Sequence, residues 1–314
     1  MLSVFNKAKS SGMHKMQQRR LLFYSLGLVI PAIQFALLFV YVNIDSIVLC
    51  FQKYNILGEN AGRYTWYGFN NFKQVVETFK TNPQLVSGIG RSFLIYLFGL
   101  AQMPLHILAA WYSVKKKPFA TGAHIILYIP SILSTMVAAA ITKYFLCESV
   151  PAIIKTITGN TIPSLLDSGD YMQTFWVVLI NGALCGVTGN LLIYAGTMNS
   201  ISDSILEAAE LDGITPAKEF WYIYLPMISP TITTFFVMGL ASMLTADIGL
   251  FEYFGEGAPK DLHTIGYYIT ILTKRSDYTS YPFLAAFNFS LCLITIPLTL
   301  FGRWGCKKIT ARFE

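Results

Sequence analysis

The sequence predicts an all-α integral membrane protein with six transmembrane helices and a cytoplasmic helix-turn-helix loop. Hydrophobic residues make up 54% of the 314 residues and charged residues only 13%. In a typical soluble domain about a quarter of the residues are charged, so the composition excludes a soluble enzyme. Apolar stretches long enough to cross the hydrocarbon core of a bilayer, roughly 20 residues each, recur six times along the chain.

The six spans end where polar or charged residues interrupt the apolar stretches. The first follows several basic residues, as a signal peptide would, but its apolar stretch is too long and no A-x-A cleavage site follows it. We therefore expect the first span to be retained. The predicted spans are Leu21 to Val42, Ser92 to Tyr112, Ala123 to Leu146, Phe175 to Thr197, Met227 to Leu250 and Pro282 to Gly302.

Lysine and arginine residues predict the orientation of these spans. They cluster before the first span, at Lys115 to Lys117 after the second, and after the last, which places those segments in the cytoplasm. Residues 1–20 and 305–314 are then cytoplasmic, and residues 21–304 form the transmembrane domain, with an external loop at 43–91. The net charge of +6 reflects this topology, and no nucleic-acid partner is expected.

A hydrophilic segment between the fourth and fifth spans, residues 198–226, carries the most specific motif. It reads Glu-Ala-Ala, three residues, Gly, nine residues, then Ile-x-Leu-Pro. Good helix formers from Glu207 to Leu211 predict a short helix, and Gly213 can take the left-handed conformation that ends it. Pro216 suits the first position of a second helix, with Thr215 as its cap. We call residues 198–226 the elbow.

The elbow resembles the EAA loop of membrane permeases in binding-protein-dependent ABC importers, whose first helix docks into a groove on a separate ATPase. The resemblance covers most of the chain, including GFNNF at Gly68 to Phe72, and is to carbohydrate permeases of the maltose and multiple-sugar type. The elbow departs from the usual loop at Ser202, where Pro is common, and at Ile214, where Ala is common. The residues implied in coupling to the ATPase are Glu207, Ala208, Ala209, Asp212, Gly213, Ile223, Leu225 and Pro226.

The resemblance also implies partners. The sequence contains no G-x-x-x-x-G-K-[ST] motif, so ATP and Mg²⁺ would be used by two separate ABC ATPase subunits and not by this chain. One elbow for two ATPase grooves implies a second permease subunit, and an extracellular solute-binding protein would deliver a sugar or oligosaccharide. The chain itself would be a non-catalytic permease of a bacterial plasma membrane, with no bound cofactor or metal.

Neutral polar side chains at helical spacing within three spans are candidates for the substrate path. Such groups can hydrogen-bond to uncharged sugar hydroxyls, but they also hold helices together in membranes, so both roles stay open. The candidates are Asn181, Thr188, Asn190, Tyr194, Ser242, Thr245, Asn288 and Thr295.

Few ionisable or thiol groups lie near the predicted spans. Lys143 and Asp247 could form a structural pair near the outer ends of their spans, and His106 is expected to be a packing residue. The five cysteines include no C-x-x-C motif, so neither a zinc site nor a disulfide framework is indicated. Cys50 and Cys147 are both expected outside and could form a disulfide.

Three other functions are open at this point. A permease for another substrate class, such as polyamine or phosphate, would carry the same elbow. A secondary transporter usually shows internal repeats or a chain of intramembrane carboxylates, which the sequence lacks. An intramembrane enzyme needs a nucleophile or metal motif, and neither H-E-x-x-H nor G-x-S-x-G occurs.

Overall fold

The computed structural model describes residues 20, 23–115, 122, 133–166 and 169–310, and the side chains of all of these except 135, 183–188, 309 and 310. The described residues are mostly helical, in agreement with the predicted class, apart from a two-stranded hairpin. Their contacts divide the chain into two units. The first comprises Met1–Gln74 and Asp277–Phe289, and the second comprises Val75–Ser276 and Ser290–Glu314.

The first unit contains one long apolar helix and a small hairpin. The side-chain amide of Asn71 donates to the carbonyls of Cys50 and Gln52, both at 2.8 Å, and so holds the start of α2 against the start of the hairpin. The elements are α1 (Phe23–Leu49), the antiparallel strands β1 (Gln52–Tyr54) and β2 (Tyr64–Trp66), and the beginning of α2 (Asn70–Thr81).

The segment predicted as an external loop, residues 43–91, is largely regular structure. α1 continues through the polar residues Asn43 and Asp45, and the next long helix begins at Pro83. The side chain of Asn82 accepts the amide of Gln84 and caps that helix. The predicted first span therefore ends before its helix does, and the predicted second span begins after its helix has begun. Hydropathy detects only the apolar part of a helix, whereas the helix continues into its polar ends.

The second unit is a helical assembly in which α3 and α5 form the most extensive helix pair. α11 begins in the first unit and continues into the second. The helices are α3 (Pro83–Val114), α4 (Met136–Thr158), α5 (Tyr171–Asn199), α6 (Asp203–Leu211), α7 (Pro216–Met227), α8 (Ser229–Ser242), α9 (Leu250–Phe254), α10 (Ile265–Arg275) and α11 (Tyr281–Thr310).

Within the described residues, four helices are long and apolar enough to cross a membrane: α1, α3, α4 and α11. α7 and α8 meet at a bend of 62° and make a fifth candidate if taken as one span. α5 has 29 residues and covers the predicted fourth span, Phe175 to Thr197. The structure thus gives a multi-pass helical membrane protein with four or five candidate spans, and it does not confirm six.

α4 differs from the predicted third span, Ala123 to Leu146, whose residues 123–132 lie outside the described part. The helix runs on to Thr158 although Pro151 interrupts the sequence. Proline has no amide hydrogen and crowds the preceding turn. The turn therefore widens into a π-helix at Phe145–Ser149, where the amide before the proline bonds to the carbonyl five residues back. This wider turn lets the helix pass the proline.

The predicted fifth span, Met227 to Leu250, is wrong in its last third, residues 243–250. α8 ends at Ser242, and the chain then turns and loops before α9 begins. A glycine of α10 approaches this loop closely, since a Cβ added to Gly266 would lie 2.4 Å from the carbonyl oxygen of Ala246. Sequence periodicity does not reveal such a contact between two backbones, so the prediction continued the helix.

The side chains of Lys143 and Asp247 bind opposite ends of α9. The Asp247 carboxylate accepts the amide of Leu250 at 3.3 Å, and the Lys143 ammonium donates to the carbonyl of Tyr253 at 2.9 Å. A carboxylate at the start of a helix and a cation at its end both suit the helix dipole. The ion pair considered between the two side chains is therefore not formed.

The disulfide considered between Cys50 and Cys147 is also absent. Both residues lie in the described part of the chain, and both are free thiols.

We expect Gly266→Ala to destabilise the protein, because the new methyl would overlap the Ala246 carbonyl and the backbone would have to move. Overpacking of this kind costs about 1–3 kcal/mol. The measurement is the thermal unfolding midpoint of the detergent-purified protein. Gly90→Ala is the control, because no atom lies within 4 Å of a Cβ added to this α3 glycine. Equal midpoints for the two variants would contradict the expectation.

Candidate functional site

The elbow folds as two helices, α6 and α7, joined by a tight turn. The amide of Ile214 donates to the carbonyl of Ala209 at 3.1 Å, and the amide of Gly213 donates to that of Glu210 at 3.0 Å. These two bonds form a Schellman motif at the end of α6. Gly213 has a φ of +71°, in the left-handed region that glycine enters without strain. The structure therefore has the turn that the sequence predicts at this glycine.

The elbow differs from the sequence expectation in three details. α6 begins at Asp203, so Glu207 lies in the middle of the helix and not in its first turn. Thr215 stands at the cap position of α7, but its side chain makes no capping bond. α7 also contains a π-helical turn at Phe220–Tyr224, just before Leu225 and Pro226. The Leu-Pro end of the motif thus repeats the proline arrangement of α4.

One face of the elbow is buried against α3 and α5. The ring of Phe220 meets the ring of Trp111 edge-on, with centroids 5.2 Å apart. Ten buried residues from α3, α5, α7 and the connections next to them form one cluster, which we call the inner core. Its members are Ile107, Ala110, Leu191, Tyr194, Ala195, Met198, Ile201, Phe220, Tyr224 and Ile228.

An ion pair joins the elbow to the C-terminal end of α3, which is the cytoplasmic end in the predicted orientation. The Lys115 ammonium lies 2.6 Å from a carboxylate oxygen of Glu219, and the two side chains are only 19% and 7% exposed. The same ammonium lies 5.6 Å from the ring centroid of Tyr224, a cation–π distance. Removing one partner of a buried pair costs about 3–5 kcal/mol, because the other charge is left unpaired.

Lys115 keeps its charge in this setting. Burial lowers the pKa of its ammonium, but the hydrogen bond to Glu219 and the charges of Glu219 and Glu210 outweigh burial, so the pKa is raised above its usual value. The negative end of the α3 dipole, where Lys115 lies, also favours a cation.

The opposite face of the elbow is open. Leu211 is 90% exposed, and Trp221 and Tyr222 are 62% and 74% exposed. Glu207 and Ala208 of α6 are also exposed. Large apolar and aromatic side chains grouped at a surface are typical of protein interfaces. We call these five residues the open face.

The remaining motif residues divide between the turn and the buried side. Asp212 and Gly213 are exposed in the turn, whereas Ala209 is buried. Leu225 packs against the inner core. Ile223 and Pro226 are half-buried.

A second feature of this unit is an open cavity of about 400 Å³ between α3, α5 and α8. Its volume falls within the range of small-molecule sites, and its lining contains no charged side chain. Its lining residues are Ser92, Ile95, Tyr96, Gly99, Leu100, Met103, Asn190, Tyr194, Phe235, Met238, Gly239, Ser242, Met243 and Ala246.

Two buried hydroxyl oxygens in this cavity lining lack hydrogen-bond partners within the described residues, those of Tyr96 and Tyr194. The Tyr194 ring packs against Phe235 with centroids 5.0 Å apart. Gly239 leaves room for the other ring, since a Cβ there would lie 2.9 Å from a Tyr96 ring carbon. Buried hydroxyls normally have a partner. Both oxygens are closed to solvent in this conformation, so a ligand in the cavity could reach them only after the surrounding helices move.

The backbone of α3 adds a further acceptor near the cavity. Pro104 lies inside the helix and has no amide hydrogen. The carbonyl of Leu100, a residue of the cavity lining, therefore lacks the amide partner that an unbroken helix would supply.

The structure brings together three of the eight predicted path residues, since Asn190, Tyr194 and Ser242 line the cavity. Four of the others lie elsewhere, and the side chain of the fifth, Thr188, is outside the described part. Asn181 donates to the Tyr253 hydroxyl, the hydroxyls of Thr245 and Thr295 bond to carbonyls of their own segments, and Asn288 lies on α11 in the first unit.

Sequence reasoning missed Tyr96 as a cavity residue. The available signal was a stripe on the second predicted span, where Ser92, Tyr96, Gly99 and Met103 recur every three or four residues. Nothing in the sequence alone says which span this stripe faces.

His106, expected to be a packing residue, is 6% exposed in the inner part of α3. It lines a cleft of about 200 Å³ together with Gln102 and Asn190. Its Nε2 atom has no hydrogen-bond partner among the described residues.

Curated relatives are transport permeases. The chain is 23% identical over 260 residues to the multiple sugar-binding transport system permease protein MsmF of Streptococcus mutans, which covers 81% of this chain and 85% of that protein. It is 29% identical over 183 residues to the probable ABC transporter permease protein MG188 of Mycoplasma genitalium. That match covers 55% of this chain and 54% of the relative, so the chain spans about half the length of that protein.

The fold is similar to that of a chain in a solved bacterial ABC transporter involved in the import of the acidic polysaccharide alginate. The TM-score is 0.71 at 22% identity, over 95% of this chain and 99% of that one. A second structure of an alginate ABC transporter, in complex with an alginate pentasaccharide-bound periplasmic protein, gives a TM-score of 0.70 at 22% identity, over 93% and 96% of the two chains.

The profile of a family described as "Binding-protein-dependent transport system inner membrane component" matches residues 102–310. This stretch contains the elbow and most of the cavity lining, and the resemblance predicted from the sequence is confirmed. The chain belongs to the binding-protein-dependent transport system inner membrane component family.

Proposed function

We propose that this chain is the permease subunit of an ABC importer that moves a sugar or oligosaccharide into the cell by alternating access, driven by ATPase subunits on separate chains. The observation that carries the proposal is the elbow, whose motif residues form a turn with one face buried and one face open. The names of the relatives support it, since several are sugar transport permeases.

In this proposal the open face docks on an ATPase. Two ATPase subunits, a second permease chain and an extracellular solute-binding protein complete the importer, and ATP and Mg²⁺ bind to the ATPases. Closure of the ATPase dimer moves the elbow, and the elbow moves α3 and α5 through the inner core. No residue in the most apolar stretch of α1 is buried within the described chain. In this proposal the apolar surface of α1 faces lipid or the second permease.

The termini and the elbow are cytoplasmic in this proposal, and six spans cross the bilayer. A cysteine introduced at Lys80 of α2 should react with an impermeant maleimide from outside intact cells, and one at Lys218 of the elbow only after the cells are opened. Both positions are exposed. The labelling is measured in a variant whose native cysteines are replaced by serine. The reverse pattern would overturn the orientation.

Gly213→Val should uncouple the importer, because a β-branched residue at a φ of +71° is strained and would tilt α6 relative to α7. We expect sugar uptake and substrate-stimulated ATP hydrolysis to fall together by about tenfold or more, a size typical of lost coupling between sites. Both are measured in proteoliposomes that contain the assembled importer. Glu207→Lys, which reverses a charge on the open face, should act in the same direction.

Gly159→Val is the matched control for this test. Gly159 has a φ of +74° at the end of α4, so valine brings the same local strain away from the elbow. If the Gly213→Val variant and the Glu207→Lys variant each import sugar at the normal rate, the coupling role of the elbow is refuted. Equal losses in Gly213→Val and Gly159→Val would attribute the effect to strain alone.

The cavity is the proposed substrate path, and its neutral lining favours an uncharged sugar. Polyamines and phosphate, the other substrate classes considered, would need counter-charges that the described lining does not contain. Hydroxyl groups such as those of Tyr96 and Tyr194 can both donate and accept hydrogen bonds, which suits sugar hydroxyls. The substrate itself can be identified by an uptake panel of radiolabelled neutral oligosaccharides that includes one uronic acid oligosaccharide.

Tyr194→Phe should lower uptake of the imported sugar by about three- to tenfold, the effect of one lost hydrogen bond. The change keeps the ring that packs on Phe235, so assembly of the complex should be unaltered. Uptake at sub-saturating sugar concentration is the measurement. Tyr144→Phe is the control, because Tyr144 is 67% exposed and lies outside the cavity lining. Identical uptake by the two variants would remove Tyr194 from the path.

A further inference from the structure

We propose that Lys115 and Glu219 form a charge latch that makes the elbow and α3 one rigid lever during transport, so that both are positioning residues for coupling. This inference rests on the proposed docking of the elbow on an ATPase. It adds that the connection from elbow to cavity runs through α3 and that this connection stays closed throughout the cycle.

The geometry ties the two elements at three neighbouring points. The Lys115 ammonium reaches the Glu219 carboxylate at 2.6 Å and also lies over the Tyr224 ring. One turn earlier on α3, the Trp111 ring meets the Phe220 ring. Lys115 is the residue that caps the end of α3, so the contact lies between the C-terminal end of this helix and the elbow.

The burial of the pair argues against an incidental surface contact. Another ion pair of the described residues, Arg275 with Glu256, has side chains that are 60% and 50% exposed, whereas the Glu219 side chain is 7% exposed. Lys218, a neighbouring cation of the elbow, is exposed and forms no ion pair with the described acidic residues. Charges withdrawn from water and paired with each other are costly to separate, which suits a contact that does not open.

α3 also lines the cavity, together with α5 and α8. It contributes Ser92, Tyr96 and Met103 to the cavity lining along its middle, and its C-terminal cap is Lys115, which forms the latch. A lever fixed at the elbow would therefore displace the Tyr96 side of the cavity directly. The elbow also contacts α5 through the inner core, but no ion pair joins the elbow to α5 among the described residues.

The test uses the assembled importer in proteoliposomes, with the oligosaccharide that the uptake panel identifies, and measures sugar molecules imported per ATP hydrolysed. Glu219→Gln and Lys115→Met should each lower this ratio by about tenfold, within the range of coupling between sites. The swapped pair, Lys115→Glu with Glu219→Lys, should restore most of it. Lys218→Met, the exposed neighbour, should leave the ratio unchanged. A purely structural role would lower the amount of complex but leave the ratio intact.

A double variant, Lys115→Cys with Glu219→Cys, tests whether the latch stays closed and serves if the single variants do not assemble. In a background without native cysteines it should be uncoupled when reduced and recoupled when the two thiols are joined by a short bifunctional maleimide. Loss of transport on cross-linking would overturn the proposal, because the latch would then have to open.

Failure of the latch and failure of the proposed function give different results. If Glu219→Gln couples normally while Gly213→Val does not, the elbow is a coupling element without a latch. If both couple normally, the proposed function of the elbow fails as well.

Discussion

The packing of α3 against α5 is the interaction on which the second unit depends. The middle of α3 lines the cavity and its last turns join the inner core, whereas residues 190–198 of α5 contribute to both, with Tyr194 in each. Helical backbone groups bond within their own helix, as a bilayer requires, and the exception in α3 is the Leu100 carbonyl, to which Pro104 cannot donate. Because one helix pair carries both features, a displacement at the elbow is also a displacement of one wall of the cavity.

The small residues along these helices decide where backbones and rings come close. Gly266 approaches the Ala246 carbonyl, and Gly239 leaves space for the Tyr96 ring. In membranes, helix association depends on such close packing because lipid removes the hydrophobic driving force between helices. These contacts fix the position of the loop after α8 and of the Tyr96 side of the cavity. Both close approaches are possible because glycine has no side chain at the point of contact.

The sequence predicts the local features of this protein well and the tertiary ones poorly. The turn at Gly213 is local, since a glycine followed one residue later by Thr-Pro encodes the end of one helix and the start of the next. The helical class follows from composition. Span ends are less predictable, because prolines such as Pro151 are accommodated by a π-helical turn that hydropathy does not register.

The candidate site divides in the same way. Lys115 and Glu219 are 104 positions apart in the chain, and no spacing rule connects them. Asn190 and Tyr194 were found because they share a helix face, whereas Tyr96 required knowledge of which helices meet. Asn181 is the opposite case. Its polar side chain made it a candidate for the substrate path, but its amide donates a hydrogen bond to the Tyr253 hydroxyl within the protein. Polarity within a span identifies hydrogen-bonding groups, and only packing tells which of them are free.

Pro104 gives α3 a property that no side chain supplies. Leu100 lines the cavity, and its carbonyl lacks the amide partner that residue 104 of an unbroken helix would supply, so the peptide backbone beside the cavity has an acceptor to spare. A carbonyl accepts a hydrogen bond from any hydroxyl of suitable position and does not distinguish one hexose from another. Selectivity at that point would depend on the reach and shape of the sugar, and side-chain replacement in related chains would leave this acceptor in place wherever the proline is kept.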